Sequence, residues 1–218
     1  MTKTKITFLL TGFIAGLVCV APGPLLNIFS LTGALLTIFT LIWCVGPSFF
    51  IAVVAGIIIT GAQRHLQTNL LHYLAGLVVC FVTYLLAFFV FWVVYGFSPD
   101  WFGFRQSANF ESFGVDGVLG LVAAAPIAAG GIAFFAFVLT GRWSNTLLAR
   151  LLLAGIVTII ITFIVNYPFQ SYWPLFGVLI PLGNALCSAA VGAHLWQPFE
   201  SGRQITGAEG RTTSPAEV

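Results

Sequence analysis

The residues of this chain that could do chemistry are few and almost all uncharged. In the stretch PLGNALCSAAVGAH a single carboxamide, Asn184, stands among small apolar residues, just after Pro181 and Gly183. Proline removes one backbone donor and loosens the turn before it, so carbonyls near Gly177 and Val178 could join the Asn184 side chain in binding a polar solute. The competing reading is packing. Gly183, Ala185, Ser188, Ala189, Ala190, Gly192 and Ala193 let a neighbouring helix approach closely, and Asn184 then hydrogen-bonds across that contact. Both readings turn Asn184 toward protein.

The stretch AAAPIAAGGIAFF repeats the pattern, with Pro126, Gly130 and Gly131 expected to weaken or break a helix. Two interrupted helices in one half of a chain point to a binding site in transporters, although Pro and Gly are also frequent in ordinary membrane helices. The candidate substrate-binding residues are therefore Asn184, Pro181, Gly183, Ser188, Pro126, Gly130 and Gly131. Gly12 and Gly16 form a GxxxG spacing on one helix face. With Gly192 they are read as helix-packing positions, serving either dimerisation or contact within the chain.

Other chemistry has little support. Cys19, Cys44, Cys80 and Cys187 sit in apolar stretches without a CxxC pair, and so read as small hydrophobes. His65, His72 and His194 have no carboxylate or thiol at ligand spacing. Asp100, Glu111 and Asp116 are irregularly spaced and suit a solvated loop. No nucleophile and base pair, phosphate loop or paired carboxylate is present. The expectation is no catalytic residue, no metal and no cofactor, with an enzyme the least supported class. A formal charge of +2 spread along the chain gives no reason to expect nucleic-acid binding.

The elements that position these residues follow from composition. The 218 residues are 59% hydrophobic and 6% charged, with a mean hydropathy of +1.04. Soluble domains carry about 25% charged residues, so this chain could not cover a water-facing surface. Uncharged runs span residues 6–63, 65–99, 117–141 and 151–199. A membrane span needs about 20 apolar residues. The second and third runs hold one helix each, and the last divides into two at Asn166, Tyr167, Pro168, Gln170 and Ser171.

The first run could hold two long helices or three short ones, since Pro22, Pro24 and Pro47 each offer a break. With two, Lys3, Lys5, Arg64, Arg142, Arg150, Arg203 and Arg211 share one side and only Arg105 lies opposite. With three, the split is three against five, a poorer match to the excess of Lys and Arg in cytoplasmic loops. The expected fold is an all-α polytopic bundle of six transmembrane helices, with a seventh left open and both termini cytoplasmic. The helices are expected near 6–24, 33–61, 70–95, 117–140, 148–166 and 173–195 within a membrane domain over 1–199, and a disordered polar tail over 200–218.

Aromatic placement gives an independent check, because Trp and Tyr favour the headgroup level. Trp92, Tyr95, Trp101, Tyr167, Tyr172 and Trp173 fall at the outer face, and Tyr73, Trp143 and Trp196 at the inner one. Only Trp43 and Tyr84 lie deeper. Lys3 and Lys5 before an apolar stretch resemble a secretory signal peptide, but Pro22 after Ala21 makes a poor cleavage site, so the stretch is read as the first span. The segment 96–116 is read as an outer interfacial loop. Three helices on each side of it have inverted-repeat parity, without sequence similarity between the halves.

No Asp, Glu, Lys or Arg falls at mid-membrane depth, which argues against a proton-coupled carrier built on a buried carboxylate. The expected location is the cell (inner) membrane. The first functional reading is a small channel or carrier for a neutral, weakly polar or lipid-like solute. The alternative is a non-catalytic structural subunit or assembly factor of a larger membrane complex. Membrane lipid, further copies of the chain or other membrane subunits are the expected partners.

Overall fold

The computed structural model describes residues 3–21, 31–64, 66, 68–102, 115–166 and 172–209, and the side-chain surroundings of most of these. Among the described residues the chain forms six α-helices: α1 (Lys3–Val20), α2 (Leu31–Thr60), α3 (Leu70–Phe102), α4 (Val115–Thr140), α5 (Asn145–Asn166) and α6 (Tyr172–Glu209). Five carry stretches long and apolar enough to cross a membrane: Lys3–Val20, Leu70–Tyr95, Gly117–Thr140, Asn145–Val165 and Val178–Trp196. In α2 the described side chains give a shorter apolar stretch, Val45–Thr60. Pro47 lies inside α2 without ending it, so the described parts of 6–63 form two helices.

Two helices outrun their expected ends. The third continues to Phe102 instead of stopping near 95, and the last continues to Glu209 instead of near 195. The apolar pattern sets where a helix must be, while polar residues such as Ser98, Asp100, Glu200 and Arg203 do not by themselves stop one. The loop residues 103–114, the turn 167–171 and the tail residues 210–218 lie outside the described residues, as do His65 and the side chain of Trp43.

The turns are set locally. At the end of α2, Gly61 takes a φ of 72° and its N–H donates to the Ile58 carbonyl at 3.1 Å. At the end of α4, Gly141 takes a φ of 66° and donates to Phe137 at 2.7 Å. Only glycine adopts that left-handed backbone at little cost, and it stops a helix by satisfying one of its last carbonyls. The next helices start on side-chain caps. The Leu147 N–H donates to Ser144 Oγ at 3.1 Å, and the His72 N–H to Asn69 Oδ1 at 3.2 Å, each meeting an orphan donor of a first turn.

The helices form a ring in chain order, each packed against the next, and α6 closes it against α1. The broadest contacts are α1 with α6 and α3 with α4, and α6 also reaches α2 and α4 across the interior. Phe8 shows how the first seam is made. Its ring is fully buried, and a side chain at either Gly56 of α2 or Gly192 of α6 would occupy the space that this ring fills.

One end of the bundle is densely packed. Phe8, Phe49, Val53, Ile57, Phe135, Leu139, Leu147, Leu151, Val191 and Leu195 form one buried cluster there, with Tyr73 and Trp196 against it. The Phe135 ring lies 6.1 Å from both Phe49 and Phe50, edge-on to each, a favourable arrangement for aromatic pairs. The outer surface is as apolar as the interior. Val18, Ile59, Leu71, Phe89, Leu153 and Ile164 are each more than half exposed. Helices apolar all round suggest a membrane-embedded protein.

Candidate functional site

The α1–α6 seam fixes the position of Asn184. A Cβ on Gly12 would meet the Asn184 carbonyl and the Ala185 backbone, and one on Gly16 would meet the backbone of Pro181. The GxxxG pair thus brings two helix backbones into direct contact within the chain. Along α1 the positions 8, 12 and 16 meet 192, 184–185 and 181 on α6, so the two helices run antiparallel.

With its backbone held there, the Asn184 side chain is 2% exposed and reaches two other helices. Its Nδ2 donates to Ser48 Oγ of α2 at 3.2 Å, and its Oδ1 accepts from the Tyr84 hydroxyl of α3 at 3.3 Å. The direction of these bonds is determined by chemistry. The Ser48 hydroxyl already donates to the Val45 carbonyl at 2.8 Å, so toward Asn184 it can only accept, and an N–H must face it. One residue thereby ties α2, α3 and α6 together, and Gly12 brings α1 to the same point.

Beside Asn184 lies a half-open cleft of about 200 Å³. Ala124, Ala125, Ala128 and Ala129 of α4 form one wall, with Gly155 and Thr158 of α5 facing Gly183 and Cys187 of α6. Tyr84, Ala87, Phe88 and Phe91 of α3 close another side. The cleft exists because these helices face one another with alanine and glycine rather than larger side chains. No charged residue lines it among the described residues, and its polar side chains are Tyr84, Asn184 and Thr158, with the thiol of Cys187 beside them. The Thr158 hydroxyl donates to the Ala154 carbonyl at 2.7 Å, leaving its oxygen free only to accept.

The seven candidate substrate-binding residues do not gather at one place. Asn184 and Gly183 line the cleft. Pro181 is buried in the seam with Gly16, and Ser188 is fully buried, lies outside the cleft lining and has no hydrogen-bond partner for its hydroxyl. Pro126 is exposed, Gly130 has open space where a side chain would stand, and a side chain on Gly131 would fall on Thr83. The expected helix breaks at Pro126 and Pro181 are corrected by the structure. Both α4 and α6 run through Pro126 and Pro181 as uninterrupted helix, because a mid-helix proline forfeits one hydrogen bond and neighbouring helices can hold the rest in place.

Sequence reasoning missed Tyr84, Ser48 and the alanines. Tyr84 carried a readable signal, since a phenol far from either aromatic belt must find a partner. In AAAPIAAGG the sequence singles out Pro126, Gly130 and Gly131, whereas it is the alanines of α4 that border the cleft. Among the described residues no three His, Cys, Asp or Glu side chains come together, and Cys80 and Cys187 are free thiols. No protein-family model, curated protein sequence or solved structure matches this chain.

Proposed function

We propose that the chain is a multi-pass membrane protein of six spanning helices, both termini cytoplasmic, whose alanine-lined cleft takes up a neutral, weakly polar or lipid-like solute. The observation that carries this reading is the cleft itself: about 200 Å³, apolar apart from a few neutral groups, and half open. For scale, an apolar cavity of about 150 Å³ holds benzene. An ion would find neither charge nor a ring of oxygens to replace its hydration. Among the described residues the cleft abuts the packed cluster of Phe49 and Phe135, with Ala129, Ile132 and Leu151 belonging to both, an arrangement that suits a carrier or binding protein better than an open channel. Placing both termini in the cytoplasm, at the inner membrane, rests on the Lys and Arg distribution.

A second reading, a non-catalytic subunit of a larger complex, draws on α4. Exposed Pro126 and open Gly130 stand one turn apart on its outer face, where another helix could approach. Native mass spectrometry of the protein gently extracted from its own membrane separates the two. The solute reading expects the chain to carry a reproducible small mass that is lost in Ala128→Phe, which fills the cleft. Emergence in fixed stoichiometry with other proteins, and no such mass, would establish the subunit reading in its place.

A further inference from the structure

We infer that the cleft selects a ligand with one neutral acceptor oxygen, of the carbonyl type, on an apolar body about the size of a single ring, and that Asn184 Nδ2 donates to that oxygen. This rests on reading the cleft as a binding site, and it adds which atom orients the ligand.

The argument is a count of hydrogen-bonding capacity. The Asn184 amide has two N–H donors, of which Ser48 takes one. Its Oδ1 takes the Tyr84 hydroxyl proton. Tyr84 and Thr158 have each spent their only proton, on Asn184 and on Ala154, so what they offer the cleft is lone pairs. Apart from the weak S–H donor of Cys187, the second Asn184 N–H is thus the one side-chain donor among the lining residues that is not engaged, on a side chain 2% exposed. Unused lone pairs are tolerated far better than an orphaned N–H, which costs about 1–3 kcal/mol in a buried site.

A ligand that supplies an acceptor removes that cost; one that brings only donors, or no polar atom, leaves it in place. The rest of the wall sets the body. Ala124, Ala125, Ala128 and Gly155 offer flat apolar contact, and Phe88 and Phe91 add aromatic edges and faces. A charged head is disfavoured, since among the described residues no opposite charge lines the cleft to receive it.

The test uses two probes of nearly the same shape, acetophenone and ethylbenzene, titrated into the detergent-solubilised protein and read by thermal unfolding. Each is referenced to its own partitioning into protein-free detergent. Wild type is expected to bind acetophenone about three- to tenfold tighter than ethylbenzene, the range for one hydrogen bond. Asn184→Leu should keep ethylbenzene binding and lose the preference, and Ala128→Phe should bind neither.

Equal binding of both probes by wild type, or a preference that survives in Asn184→Leu, overturns the assignment of Asn184 while leaving an apolar binding cleft. Wild type that responds no differently from Ala128→Phe overturns the cleft reading itself. Should Asn184→Leu not fold, the carbonyl stretch of carbon-13 acetophenone decides. A lower frequency with wild type than with Ala128→Phe supports the hydrogen bond, and the same frequency in both overturns it.

Discussion

Gly12 and Asn184 meet backbone to backbone, and substitutions at the two residues should behave differently. Asn184→Leu keeps the branched outline of the side chain and removes two cross-helix hydrogen bonds, each worth roughly 0.6 kcal/mol in a membrane interior. A loss of about 1–2 kcal/mol is expected by reversible unfolding in mixed micelles. Gly12→Leu introduces atoms where the Asn184 carbonyl already stands. The seam must then part, with a larger loss than for Asn184→Leu and lowered monodispersity on size-exclusion chromatography. Phe8→Ala should cost about 3–5 kcal/mol, the range for emptying a buried aromatic site, because Gly56 and Gly192 have no side chains to collapse into the space. The burial of Asn184 was legible from its isolation among small residues. Its partners were not, since Ser48 and Tyr84 are distant in the chain and no periodicity joins them.

At the scale of elements, the apolar runs and the few charges agree with the six helices found among the described residues and with most of their ends. Gly61 and Gly141 stop helices for reasons of local backbone geometry, and Ser144 and Asn69 start them. What the pattern could not give was the effect of proline, which depends on the neighbours that hold the helix once one bond is lost. The alternation of directions gives a topological prediction. Cysteines placed near Arg64, in the turn between α2 and α3, and near Arg105, beyond α3, should be labelled by membrane-impermeant maleimide from opposite sides. Labelling of both from one side would refute the six-span arrangement with cytoplasmic ends.

For the whole molecule, the ring has two broad seams, α1 with α6 and α3 with α4, and both join the first three helices to the last three. Separately made halves, divided within residues 103–114, should therefore reassociate in the membrane, as independently inserted helices do when their packing faces match. The tagged first half is expected to copurify with the second, and Gly12→Leu to weaken that recovery. The same closure has a consequence in time. Along the chain α1 is made well before α6, and so finds its broadest partner only once that helix has followed. At about 5–20 residues per second this wait is on the order of ten seconds, during which the glycine face of α1 stands open to lipid and to other nascent chains. Biogenesis is therefore most vulnerable between the making of α1 and that of α6, and a chain terminated before α6 leaves behind an unclosed bundle that quality control can recognise by that face.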